Sequence, residues 1–281
     1  MIRIIIDSAC DMPKKEAEAL KLDFLPLKTI FGEEEFLDGI TITHDEFYTK
    51  LESSSENPTT SQISPAEYED IYENVKECGD TAIVITLSSK LSGTYQSANI
   101  ARDGYEDCIY IVDSENVTLG EQLLIRYACE LRDLGFSAKE IVAALEKKKT
   151  DIHVVAVLDT LEYLQRGGRI SKTVAVAGNL LSIKPVIAIQ NGEVALVAKS
   201  RGLKNAGSAM TETAKSYGKV DFSMPCAYVY SGHSDELLKK YIKDLANGWE
   251  GQIEDIPIFS IGSTIGTHVG PGAFGFAFFA K

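Results

Sequence analysis

The sequence predicts an α/β fold of two domains, a parallel three-layer N-terminal unit followed by a C-terminal unit with a mixed sheet, and three observations carry this expectation. Short β-branched runs alternate with longer amphipathic segments through the first half, the pattern of a parallel sheet covered by helices. After about residue 155 the pattern changes, because Lys184–Ile189, Asn191-Gly192 and Glu193–Lys199 read as two antiparallel strands joined by a two-residue type I′ turn. The length, 281 residues, suits two domains of about 150 residues each. The division is expected at 157/158, giving units 1–157 and 158–281 with a ligand between them.

Taken in order, the strands expected first are Arg3–Ile6, Ala82–Thr86 and Ile109–Val112. Each runs into small polar residues, Asp7-Ser8, Leu87-Ser88-Ser89 and Asp113-Ser114. In open α/β sheets that edge, beyond the carboxyl ends of the strands, is where ligands bind. Helix starts are marked at Thr43-x-x-Glu46, Ser64-Pro65-Ala66-Glu67 and Ser137-x-x-Glu140, each a cap residue with a glutamate three positions on. Ser53 to Ser64 is rich in Ser, Thr, Asn and Pro and is expected as a surface loop. The second unit continues with a helix at Leu203–Tyr217, a strand at Ala227–Tyr230 and a helix at Asp235–Ala246. Strands Ile253–Ser260 and Ala273–Ala280 close it, the latter because Phe274, Phe276 and Phe278 alternate.

Composition excludes several classes of function. With 28 Lys and Arg against 41 Asp and Glu, the net charge of −13 repels a phosphate backbone, so no nucleic acid is expected as partner. No apolar run reaches the roughly 18 residues of a spanning helix. The start, MIRIIIDSACD, reads as a first strand rather than a secretory signal, and a cytoplasmic protein is expected. Cys10, Cys78, Cys108, Cys129 and Cys226 are odd in number and lack a C-x-x-C, which argues for reduced thiols and against a zinc site. His44, His153, His233 and His268 are scattered singly, so no metal is expected. Gly270 to Gly275 match G-x-G-x-x-G, but no room for the required helix follows, and neither a P-loop nor a G-x-S-x-G elbow occurs.

Three hydroxyl- or glycine-rich segments remain: Thr59–Gln62, Ser88–Tyr95 and Gly262–Gly272. Ser92 sits where a strand gives way to a helix, and reads either as a cap for its own helix or as part of an anion site beside free backbone N–H groups. Thr60 and Ser61 alone read as a solvated loop, and His268 alone as a structural histidine. The segment Gln165–Lys172 ends a helix at Gly167-Gly168 and carries Arg166, Arg169 and Lys172, either a charged helix end or a basic docking patch.

The ordered set Asp7-Ser8, Thr60-Ser61-Gln62, LSSKLSGTYQSA (87–98), Asp113-Ser114, LEYLQRGGRISK (161–172), NLLSIKPV (179–186), KSRG (199–202) and IGTHVGPGAFG (265–275) resembles the DegV family of bacterial fatty acid-binding proteins. The resemblance spans the whole chain, with Ile63 standing where many members look to carry proline. It implies a DegV-like fold holding one long-chain fatty acid, hexadecanoate or similar, between two domains. Thr60 and Ser92 would hold the carboxylate beside Ser61, Gly93 and Thr94 would offer nearby backbone donors, and His268 would lie near the head group. It further implies a carrier without a catalytic residue, metal or cofactor, which presents the acid to a separate ATP-binding fatty acid kinase subunit for conversion to acyl phosphate, feeding phospholipid synthesis. Arg169 is the strongest candidate for contact with the kinase or the added phosphate, ahead of Arg166 and Lys172, and transient membrane contact stays open. Two other readings are kept. The family's fold is similar to the dihydroxyacetone-binding domain of dihydroxyacetone kinases, so a small-carbonyl enzyme or kinase subunit using His268 is one, and a hydrolase built on Ser92, His268 and Asp7 or Asp113 is the other.

Overall fold

The chain opens with β1 (Ile2–Asp7), α1 (Lys14–Ala19), β2 (Asp23–Leu25), β3 (Lys28–Phe31), β4 (Glu34–Leu37), α2 (His44–Ser53) and β5 (Thr59–Ser61). Then come α3 (Pro65–Glu77), β6 (Thr81–Thr86), α4 (Thr94–Ala101), β7 (Ile109–Asp113), α5 (Leu119–Asp133) and α6 (Ala138–Lys148). The remainder is β8 (Ile152–Val157), α7 (Glu162–Arg166), β9 (Ile183–Gln190), β10 (Glu193–Arg201), α8 (Leu203–Ser216), β11 (Ala227–Tyr230), α9 (Glu236–Leu245), β12 (Ile258–Ser260), α10 (Ser263–Val269) and β13 (Phe274–Phe279). This computed structural model describes residues 1–171, 183–245 and 256–281.

The first sheet has the order β2-β1-β6-β7, and every pair in it is parallel. Ile4, Ile5, Ile6, Ile83, Val84 and Ile85 are all buried, which is why these strands read as continuous apolar runs rather than alternations. Helix α3 packs on α4 and α5 on α6, and both pairs lie against β6. The three expected helix starts are all complete capping boxes, at Thr43 and Glu46, Ser64 and Glu67, and Ser137 and Glu140.

The second sheet is mixed, in the order β10-β9-β8-β13-β11-β12, with β11 and β12 the parallel pair. Its first hairpin turns at Asn191-Gly192, whose φ values of 52° and 79° are the positive angles that a type I′ turn demands. Strand β8, which precedes the expected division at 157/158, pairs with β9 and β13 of this sheet. In β13 the alternation expected from the phenylalanines holds: Phe274, Phe276 and Phe278 join Val155, Val157, Tyr228 and Met210 in one core, while Ala277 and Phe279 enter the other. Helix α5 packs on β1 and β6 of the first sheet and on β8, β11 and β13 of the second. It is therefore buried along most of its circumference, Leu123, Leu124, Ile125 and Ala128 included.

Two features differ from expectation. Part of Ser53–Ser64, expected as loop, is β5, which pairs Thr59 to Ser61 antiparallel with Lys28–Ile30 in a third sheet of order β4-β3-β5. Helix α2 covers that sheet through a small core of Phe31, Ile42, Phe47 and Tyr48. The segment Gly262–Gly272 after β12, for which the sequence predicts no helix, contains helix α10. Of the expected closing strand Ile253–Ser260 only Ile258–Ser260 is strand among the described residues, Ile256 and Pro257 preceding it; residues 253–255 and Ala246, the expected end of the preceding helix, lie outside the described residues.

Candidate functional site

Leu27 between β2 and β3, strand β5, the loop after β6, the start of α5, one face of the second sheet and helix α10 enclose a cavity of about 170 Å³. Its walls are apolar. Val154, Ala156 and Leu158 point in from β8 and the residue after it, alternate residues of one strand face as the pleat dictates, and Ile187 and Ile189 do the same from β9. Leu87 and Leu91 from the loop after β6, Leu164 of α7 and Ile265 of α10 are among the other apolar residues of the lining. Thr60, Ser61, Gln62, Ser92, Gly93, Arg169 and His268 also line it, with Thr118 and Thr264.

Each polar group is placed by a local cause. Thr60 is held by the pairing of β5 with β3, opposite Thr29, and its Oγ1 lies 2.9 Å from His268 Nε2. His268 is carried in by α10, whose N-terminus is fixed by two buried carboxylates. Asp11 accepts from Gly262 N–H at 2.8 Å, and Asp38 accepts from both the N–H and the hydroxyl of Ser263 at 2.8 Å. Burial, with Arg169 nearby, lowers the His268 pKa to about 4, so the imidazole is neutral at pH 7. Burial likewise pushes Asp11 up to about 8.

Ser92 differs in detail from its expected cap position: the N-cap of α4 is Gly93, and Ser92 precedes it. Ser92 Oγ lies 3.0 Å from Thr94 Oγ1 and accepts from Thr94 N–H at 3.2 Å, so the expected Thr94 backbone donor is spent on Ser92 and Thr94 itself is buried outside the lining. Gly93 lacks a side chain for a steric reason, since a Cβ there would stand 2.0 Å from Gln62 Oε1. Gln62 in turn donates to Ser97 Oγ at 2.7 Å. Ser61 Oγ donates to the carbonyl of its neighbour Gln62 at 3.4 Å.

The two described basic residues of the segment Gln165–Lys172 turn opposite ways. Arg169 turns into the cavity wall, where Nε donates to Leu91 O at 3.0 Å and Nη1 to Gly167 O at 2.6 Å, and burial lowers its pKa. Arg166 turns out, pairs with Glu162 and Asn57, and lies over the Tyr163 ring at 5.4 Å. Lys172 lies outside the described residues.

No serine–histidine–carboxylate chain is assembled among these residues. His268 Nε2 meets Thr60 rather than Ser92. Both oxygens of Asp7 are engaged by backbone N–H groups, Oδ1 by Ala9 at 3.0 Å and Oδ2 by Leu87 at 2.9 Å. Asp113 Oδ1 accepts from Ser89 at 3.2 Å and Glu115 at 2.9 Å. Among the described residues no cluster of three potential metal ligands occurs, and no helix is long and apolar enough to cross a membrane. Sequence reasoning did not single out Thr118, Thr264 or the walls from β8 and β9. Thr264 had a usable signal, lying one helical turn before His268, but only once the segment is known to be helical.

The model of the DegV family, described there as an uncharacterised protein, matches residues 1–281. A DegV domain-containing protein of Caldanaerobacter subterraneus is 34% identical over 281 residues, covering 100% of this chain and 99% of that protein. A solved DegV family protein of Thermus thermophilus, described for its fatty acid binding, superposes with a TM-score of 0.89 at 28% identity, over 100% of this chain and 99% of that one. A stearic acid-binding protein of Eubacterium ventriosum superposes with a TM-score of 0.88 at 27% identity, over 100% and 99% of the two chains.

Proposed function

The chain belongs to the DegV family, and from that premise we propose that it holds one long-chain fatty acid between units 1–157 and 158–281, its carboxylate at Thr60 and Ser92 and its tail along the apolar wall. The observation that carries the reading is the one-sided chemistry of the cavity: hydroxyls, an imidazole and a guanidinium gather among the residues of β5, α10 and the loops before α4 and after α7, and the rest of the lining, Gln62 and Thr118 apart, is apolar. At about 0.8 kcal/mol per buried CH₂, a tail of about 15 methylenes offers a gross ~12 kcal/mol, so the walls supply the affinity. The polar residues supply the orientation. A carboxylate leaving water costs several kcal/mol unless it is hydrogen-bonded, and hydroxyl donors with Arg169 nearby offset that cost.

On this reading the protein is a carrier, and a separate ATP-binding kinase transfers phosphate to the bound acid. The missing P-loop in the sequence is in keeping with it. Arg169, anchored through two carbonyls beside the head group, is the residue that would meet the added phosphate. With the kinase supplied, Arg169→Ala is expected to slow acyl-phosphate formation, and a wild-type rate would remove this part of the proposal.

The carrier itself is tested by native mass spectrometry of the purified protein, followed by organic extraction. A stoichiometric, non-covalent long-chain acid is the expected result. A protein that arrives empty and also fails to bind added fatty acids would overturn the reading.

A further inference from the structure

The two nitrogens of His268 have unlike surroundings. Nε2 lies 2.9 Å from Thr60 Oγ1, whereas Nδ1 is buried without a hydrogen-bond partner among the described residues. What Nδ1 faces is Gly167, so closely that a Cβ on that residue would stand 2.1 Å away. The Gly167 N–H is already committed to Tyr163 O at 2.9 Å and offers nothing to the ring. A neutral imidazole has one N–H, and a bare nitrogen is less costly to bury unpaired than a stranded N–H. The proton therefore belongs on Nε2.

That assignment decides where the proton of Thr60 goes. A hydroxyl has one proton and two lone pairs. If Nε2–H donates to Oγ1, the Thr60 proton stays available for a third group. If the proton sat on Nδ1, Thr60 would give its own proton to Nε2 and present lone pairs to the cavity, which repel an anion. We infer that His268 is a positioning residue that acts through Thr60, donating from Nε2 so that the threonine hydroxyl proton points to the ligand and this end of the cavity selects an ionised carboxylate over an uncharged acyl head group. The low pKa of His268 agrees with a singly protonated ring at pH 7. The glycine at 167 is part of the device: its φ of −73° and ψ of −8° are ordinary helical values, so the close imidazole and not the backbone excludes a side chain there.

The inference rests on the fatty-acid reading but is tested first without any lipid. Nitrogen-15 NMR of the ligand-free protein at neutral pH is expected to find Nε2 protonated and Nδ1 bare; the opposite tautomer, or an imidazolium, would overturn it. Binding of hexadecanoate and of the matching fatty alcohol is then compared in the wild type, His268→Gln, which keeps a donor where Nε2 stands, and His268→Leu. Hexadecanoate affinity is expected to fall roughly ten- to hundredfold in His268→Leu with little change for the alcohol, and to stay within about threefold of wild type in His268→Gln. Gly167→Ala, which pushes the ring away without touching it chemically, is expected to behave as His268→Leu does. Equal losses for Gln and Leu, or an unchanged Leu variant, would sink the inference. If the wild type bound neither ligand, the fatty-acid reading would fall, and the NMR result would still decide the direction of the proton.

Discussion

At the scale of single residues, the site turns on a hydroxyl that is legible only as part of a set. Thr60→Val removes the oxygen and keeps the shape, and is expected to weaken binding of a fatty acid by roughly 1.5 to 3 kcal/mol, read by calorimetric titration, with the thermal midpoint nearly unchanged because Thr60 is only partly buried. Ser92→Ala is expected to cost fatty-acid affinity and also some stability, since Ser92 receives the N–H of Thr94 at the mouth of α4. Although Thr60, Ser61 and His268 taken singly read as ordinary loop and structural residues, Thr60, Ser61, Ser92, Gly93, Arg169 and His268 all line the cavity. Thr94 and Arg166 do not, for reasons no spacing reveals. Thr94 is turned under Ser92, and Arg166 finds a carboxylate four residues back on its own helix.

At the scale of elements, the parallel strands and the three capped helices were readable because local chemistry and burial agree there. Helix α10 was not, because Ser, Thr and Gly are poor helix formers and its stability comes from outside it. Asp38 and Asp11, more than two hundred residues away in the chain, receive its first N–H groups, and Thr29 donates to Ser263 Oγ at 2.9 Å. Strand β5 was hidden for a similar reason: three residues of Thr-Thr-Ser become a strand only by pairing with β3. Asp38→Ala is accordingly expected to lower stability by roughly 2 to 3 kcal/mol in denaturant titration and to weaken ligand binding too, since α10 carries His268. A variant that lost stability but bound fatty acid normally would show that α10 keeps its place without that anchor.

At the scale of the whole molecule, the buried acids set how stability follows pH. Asp7 is pushed up to about 7 and Asp11 to about 8, in both chiefly by burial, against 3.8 for the free side chain. Between about 4 and these values the folded chain keeps protons that the unfolded chain has released, so their contribution is complete below about 3.8 and is lost as pH rises through 7 and 8. Glu121, raised in the same direction by burial, adds to the trend. His268 runs the other way, its neutral form favouring the fold above 6.5 and costing stability as pH falls from there towards 4. The acids outnumber it, so the thermal midpoint is expected to fall between about pH 5.5 and about pH 8, and Asp11→Asn to make that fall shallower by ~1 kcal/mol per pH unit. A midpoint that climbed with pH over this range would contradict the balance.

The position of β13 between β8 and β11 has a consequence in time. A ribosome releases β8, β9 and β10 well before β13 exists, so the middle of the second sheet is the last of its strands to be made. Until then β8 presents an open strand edge, and the flank of α5 that later meets this sheet stays uncovered. The first sheet, complete by residue 113, is able to fold while translation continues, but the cavity closes only at the end. A stalled nascent chain that lacks residues after 270 should therefore hold a folded first sheet and bind no lipid.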